Sequence, residues 1–341
     1  MTGTAPLFRH RQSRYLLSLL LTGLLVAVCS VFDLAIGARY ISPETVVRAL
    51  VAYDPHNFNH HVVVELRLLR LIAALLIGSA LGVAGLLLQS VIRNPLGEPH
   101  ILGLNAGAAL AVVMSTACGA TWLTLPGIRP LVAAGGAALL FSLVILFSSA
   151  GRSGLTVMKV TLCGVALSAF ASSLTATVLL LDEQTMMDMR TWLAGDLAGL
   201  SWPGVQAAAI PVALAILLAG WLAPSLNALA LGDHLARGLG VDLRRTRILS
   251  IFAIALLSGA AVSLAGPIGF VGLIVPNVVR RLVTEDVRKA IPCCALCGAL
   301  VLLVADIAAR TLIAPQELAT GVMTALAGAP VFIFIASRFF K

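Results

Sequence analysis

Apolar residues in this chain gather in long unbroken runs, neither alternating singly nor confined to narrow stripes. The runs occupy residues 15–36, 64–92, 100–118, 129–149, 160–181, 203–224, 248–265, 268–280, 290–309 and 318–337. A helical run of roughly 20 apolar residues matches the hydrocarbon thickness of a bilayer, whereas spanning strands would be about ten residues long and alternate polar with apolar. The pattern therefore predicts an all-α membrane protein with about ten transmembrane helices. The 268–280 run is short for a span and is expected to tilt or to lie buried among its neighbours. Turn signals separate the runs: Ser42-Pro43, Tyr53-Asp54-Pro55, Asn94-Pro95, Pro126-Gly127, Gly151-Arg152-Ser153-Gly154 and Trp202-Pro203. No repeat and no Pro- or Ser-rich linker divides the chain, so residues 1–341 read as one transmembrane domain.

Composition strengthens this reading. Of 341 residues, 60% are hydrophobic and 11% charged, against about 25% charged in an ordinary soluble domain. The net charge of +8 fits loops held on the cytoplasmic side, and no basic surface interleaved with aromatics points to nucleic acid. With the N-terminus inside, ten spans leave both termini cytoplasmic. Of the 23 Lys and Arg, only Arg39, Arg48, Arg67, Arg70, Arg129, Arg190 and Arg310 then lie outside. The basic stretch Arg9, His10, Arg11 and Arg14 precedes a run, Tyr15 to Ile36, that is long enough to span and lacks a convincing cleavage site. It reads as an uncleaved first helix.

Several chemistries are missing. No G-x-x-x-x-G-K-[ST] phosphate cradle occurs. The intramembrane acids are few: Asp33 and Asp306 sit near helix ends, and no acid or histidine chain is visible near the bilayer centre. A stand-alone secondary carrier would need such a coupling-ion site, and a membrane enzyme would need clustered His, Asp or Ser. Cys29, Cys118, Cys163, Cys293, Cys294 and Cys297 read as small apolar residues; Cys294-x-x-Cys297 lacks a second Cys or His pair. His56, His60 and His61, with Asp54 and Glu65, fall in an outer loop and read as solvated, not as metal ligands. Gly78-x-x-x-Gly82 lets helix backbones approach closely.

Five ordered motifs, from about residue 37 onward, carry a resemblance. They are Leu66-Arg67-Leu68-Leu69-Arg70-Leu71 leading to Gly78, Gly82, Gly85 and Gln89; Arg93-Asn94-Pro95-Leu96-Gly97-Glu98-Pro99 with Gly103 and Gly107; Leu231-Gly232-Asp233-His234-Leu235-Ala236-Arg237-Gly238-Leu239-Gly240; Gly266-Pro267-Ile268-Gly269-Phe270-Val271-Gly272 through Pro276 and Arg280; and Asp306, Arg310, Glu317-Leu318, Gly321 and Gly328-Ala329-Pro330. The chain resembles the permease subunits of type II ABC importers for iron-siderophores, haem and vitamin B12, most of all those for ferric siderophores. That family folds into ten helices per subunit and works as a dimeric channel. The resemblance implies an inner-membrane importer subunit with no catalytic residue and no cofactor of its own, ATP and Mg residing on the partner. Its implied partners are a second permease subunit (identical or homologous), two ATP-binding-cassette ATPases, a periplasmic substrate-binding protein and membrane lipid. Residues 226–247, with Leu231, Gly232, Asp233, His234, Ala236, Arg237, Leu239 and Gly240, match the cytoplasmic coupling helices. Arg67, Arg70 and Arg310 match arginines that receive glutamates of the binding protein. Gly78, Gly82, Gly85, Gln89, Asn94, Pro95, Gly103, Gly107, Gly266, Pro267, Gly272 and Pro276 match positions of helix packing or of the path. The chain departs from the family at Leu69, Asn277 and Ala319-Thr320. With Leu69 in place of proline, the helix carrying the arginines can begin a turn earlier.

Overall fold

The computed structural model describes residues 5–37, 40–100, 102–150, 157–314 and 316–339. Every regular element among them is helical. In chain order they are α1 (Ala5–Ala35), α2 (Pro43–Val51), α3 (Phe58–His61), α4 (Leu68–Ile92), α5 (Leu104–Ala117), α6 (Arg129–Ser149), α7 (Val157–Leu181), α8 (Glu183–Leu193), α9 (Trp202–Ala230), α10 (Asp233–Gly238), α11 (Leu243–Ala265), α12 (Val271–Leu282), α13 (Val287–Thr311) and α14 (Thr320–Phe339). A π-helical turn, Val62–Arg67, joins α3 to α4.

Seven described helices are long and apolar enough to cross a membrane: α1, the continuous Phe58–Ile92 rod, α6, α7, α9, α11 and α13. Helices α5 and α14 are shorter apolar helices. Helix α12 has 12 residues, about 18 Å at 1.5 Å per residue, against a hydrocarbon core of about 30 Å. It therefore cannot cross alone. Most sequence boundaries hold to within a few residues, but α1 begins at Ala5 and not at residue 15. The second span starts at Phe58, not residue 64, because no proline at position 69 stops the helix from running outward through the π turn. Helix α9 continues to Ala230 despite Pro211 and Pro224 inside it. Helices α2 and α8 fall where the sequence offered only loops. Ser42 and Asp182 cap them by accepting from the Thr45 and Thr185 N–H groups. Asp182 also takes the Thr185 hydroxyl at 2.6 Å, and these bonds hold its carboxyl below the ordinary range.

Helices α4 and α11 are the enclosed centre, and α1 and α7 the periphery. Leu16, Leu20, Leu24, Val31 and Phe32 of α1 point outward, as lipid-facing side chains do. The centre is held by small residues. Gly78 and Gly82 of α4 face Gly298, Ala299 and Cys294 of α13, and a Cβ on Gly78 would fall 2.8 Å from the Ala299 Cα. Gly85 faces Gly272 of α12, where a Cβ would come within 2.6 Å of the Gly272 Cα. Gly107 of α5 meets Gly136 of α6 in the same way. Backbones this close gain dispersion contacts that lipid cannot supply. The six cysteines are free thiols, with Cys293 and Cys294 buried.

Candidate functional site

Three regions carry the polar chemistry, one at each end of the bundle and one between. At the end that the charge pattern places outside, α1, α4 and α13 converge. Arg70 on α4 grips Asp306 of α13, with Nε 3.0 Å from both carboxylate oxygens and Nη2 2.9 Å from Oδ1, and reaches Glu317 at 2.7 Å. Asp306 also accepts from Arg310 at 3.0 Å and from the Thr320 hydroxyl at 2.8 Å. Arg310 pairs in turn with Asp33 of α1. Asp33 and Asp306 are fully buried, so the arginines, with the Thr320 hydroxyl on Asp306, offset the cost of taking their charge from water. Arg67 and Arg310 close the last turn of α1. Arg67 Nη1 donates to the Leu34 carbonyl at 2.8 Å, and Arg310 Nη1 lies 3.4 Å from the Ile36 carbonyl. Carbonyls at a helix C-terminus lack intrahelical partners and attract cations.

The arginines assigned to docking are thus turned inward. The Arg310 side chain is 4% exposed and Arg70 11%. Arg310 holds two aspartates, Asp33 and Asp306, in this arrangement. Arg70 differs, because its partner Glu317 is 37% exposed. A cavity of about 470 Å³ opens here, with Arg67, Arg70, Arg310, Glu65 and Glu317 on its wall. The outer histidines do not converge: His60 is buried on α3 and its Nδ1 accepts from the Asp54 N–H at 3.1 Å. Among the described residues no group of three or more His, Cys, Asp or Glu is placed to hold a metal.

Between the ends, the half-length helix α12 begins inside the bundle. Its N-cap Phe270 adopts a left-handed φ of 69°, and its N–H donates to the Glu98 carboxylate in the α4–α5 connection. Glu98 is 2% exposed. Sequence reasoning missed this buried acid, having looked for acids only within the apolar runs; its place in the Asn94–Pro99 motif was the available signal. Gln89 Nε2 donates to the Gly272 carbonyl at 3.3 Å, and Asn277 Nδ2 to the Pro95 carbonyl at 2.8 Å. Asn94 closes its own turn by accepting from Leu96 N. Gly103 and Gly266 sit at positive φ (87° and 72°), where a side chain would strain the backbone. Gly266 also lies against the Trp192 carbonyl, Pro267 offers its carbonyl beside Gly195, and Pro276 is buried within α12. Gly78, Gly82, Gly85, Gln89, Gly107 and Gly272 are enclosed by this chain's own helices.

At the opposite end only α10 is a separate helix within residues 226–247; the flanks belong to α9 and α11. Leu235 of α10 and the flanking Leu231 and Leu239, at four-residue spacing, are each more than 60% exposed. Gly232 and Gly240, both at positive φ, bound the segment. His234 and Arg237 are exposed, whereas Ala236 is fully buried and anchors α10 to the bundle. Asp233 fixes the segment from below, pairing with Arg93 at the end of α4 (3.0 Å) and Arg247 of α11 (2.9 Å). Helix α4 therefore runs from the outer charge cluster to the anchor of α10.

Comparison with known proteins gives this geometry a context. Residues 24–338 match the FecCD transport family. The chain is 38% identical to the iron(3+)-hydroxamate import system permease FhuB of Bacillus subtilis (strain 168), over 94% of this chain and 83% of that protein. It is also 38% identical to the vitamin B12 import system permease BtuC of Vibrio cholerae, over 97% of both chains. A solved metal-chelate type ABC transporter in an inward-facing conformation superposes with a TM-score of 0.76 at 28% identity, covering 95% of this chain and 99% of that one. The chain belongs to the FecCD transport family, as a multi-pass permease subunit of an ABC importer and not as an enzyme.

Proposed function

We propose that this subunit moves a ferric siderophore from periplasm to cytoplasm, powered by ATP hydrolysis on two separate ATPase subunits. The observation that carries the coupling is α10. It is an exposed leucine-bearing helix rigidly tied, through Asp233, to the helix that also bears Arg70. Two copies, identical or homologous, enclose the path. In support, α7 packs little against its own chain and leaves Ala166, Ala169, Ser173, Ala176 and Thr177 exposed on its surface; small residues suit close helix pairing and a wide passage. A loaded binding protein docks outside, and an incoming carboxylate exchanges for Glu317 on Arg70, because the guanidinium fork can accept a new carboxylate in the same plane. ATP-driven closure of the ATPases pulls α10 and rocks α4, alternating the opening.

The cargo reading rests on the relatives. Ferric hydroxamate, ferric citrate and ferric enterobactin permeases are similar over most of their length. The equally similar vitamin B12 permease keeps that cargo as the second reading, with haem behind it. Uptake of radiolabelled iron supplied as several ferric siderophores, in cells with and without the gene, tests the choice; labelled vitamin B12 and haem run in parallel. Loss of one ferric siderophore alone supports the proposal. Loss of B12 or haem uptake with iron unchanged replaces the cargo.

A further inference from the structure

A further cavity lies at the α10 end, beside the Asp233 anchor of α10. It is a groove of about 670 Å³ between α10 and the ends of α4, α6, α7 and α11. Its floor is apolar, formed by Ile92, Ile145, Val160 and Ile248. Its rim carries four arginines, Arg93, Arg237, Arg244 and Arg247. One acid, Asp233, engages Arg93 and Arg247. Arg237 and Arg244 have no ion pair among the described residues and are exposed. Aromatic rings accompany basic residues at this end of the bundle. Arg245, next in sequence, lies over the ring of the exposed Trp221 at 5.7 Å, and Lys289 over Tyr15 at 5.7 Å. Amphipathic rings of this kind settle at the headgroup level of a membrane.

An apolar floor under a basic rim, beside aromatic rings of the kind that settle at headgroup level, fits one class of ligand. We infer that this groove is a binding site for an anionic phospholipid, its acyl chain along Ile145, Val160 and Ile248 and its phosphate between Arg237 and Arg244. A soluble phosphate would gain nothing from the apolar floor, and a zwitterionic lipid would bring its own cation to the arginines. Basic pockets between membrane helices select anionic headgroups for this reason.

The test uses the permease purified in detergent together with its ATPase, so that any occlusion by the partner counts. Native mass spectrometry measures retention of phosphatidylglycerol, phosphatidylcholine and glycerol 3-phosphate by the wild type and by two variants. Phosphatidylglycerol is expected to bind, and the other two are not expected to compete. Arg244→Ala should weaken it about fivefold, the factor contributed by one basic residue near an anionic surface. Ile248→Asp, which places a carboxylate on the floor at an exposed position, should abolish it while the complex remains assembled. Equal retention of phosphatidylcholine, competition by glycerol 3-phosphate, indifference to both variants, or no lipid on the assembled complex would each overturn the assignment.

Discussion

Replacing Asp306 by alanine removes the hub of the outer cluster. The carboxylate accepts from Arg70, Arg310 and Thr320, at 2.8 to 3.0 Å, and is fully buried. Without it, two guanidiniums remain inside the protein with half their partners gone. Breaking one side of a buried pair costs about 3–5 kcal/mol, chiefly because the surviving charge is left uncompensated. Glu44→Ala is the internal control. Its pair with Arg48 is just as short, 2.7 Å, but both side chains are at least 70% exposed, and such a pair is worth about 0.5 kcal/mol at most. Thermal unfolding in detergent, followed by a thiol-reactive fluorophore that reports the exposure of buried Cys293 and Cys294, reads both. Asp306→Ala should lower the midpoint by roughly 5–10 °C and Glu44→Ala by about 1 °C. Adding Arg70→Met to Asp306→Ala should recover part of the loss, because it removes one stranded charge. If Asp306→Ala were as mild as Glu44→Ala, the claim that this cluster locks α1, α4 and α13 together would be wrong.

Gly85→Ala should force α4 and α12 apart, given the 2.6 Å approach at that point, and lose both stability and transport; Gly23→Ala, with nothing within 4 Å, should do neither. Glu98→Gln keeps an acceptor for the Phe270 N–H and should leave the unfolding midpoint near the wild type, whereas Glu98→Leu orphans that donor and should cost about 1–3 kcal/mol in the same assay. Asp233→Ala frees α10 from α4 and α11. Since Asp233 is partly exposed, stability should change by less than about 1 kcal/mol, yet ATP hydrolysis in proteoliposomes should no longer respond to the loaded binding protein. An unchanged stimulation ratio would remove Asp233 from the coupling route.

The sequence disclosed the membrane helices because their signal is local: each apolar run is long enough to be read without its neighbours. It failed where structure depends on amphipathy or on distant partners. Helix α2 is nine residues with one buried face, Val46 and Ala49, too short and too polar outside to register as a run. Arg67 to Leu71 looked like an outward-facing basic patch, since nothing local shows that Asp306 lies 236 residues later in chain order and less than 3 Å away. Nor does the sequence show that Arg310 is 4% exposed and paired with two buried aspartates, Asp33 from α1 and Asp306 from one turn earlier on α13. The glycines behaved in the opposite way. Gly78, Gly82 and Gly85 recur at helical spacing, and that periodicity alone forecasts a face on which another backbone rests, as α13 and α12 do. Leu69 mattered through what it is not: without a proline the helix runs on through the π turn to Phe58.

The most direct test of the account is ATP-driven uptake of a ferric siderophore by proteoliposomes containing this permease, its ATPase and its binding protein. The account predicts accumulation that requires ATP, is insensitive to proton and sodium ionophores, and is abolished when Leu235→Asp is placed on the exposed face of α10. Accumulation driven by an ion gradient without ATP would contradict it.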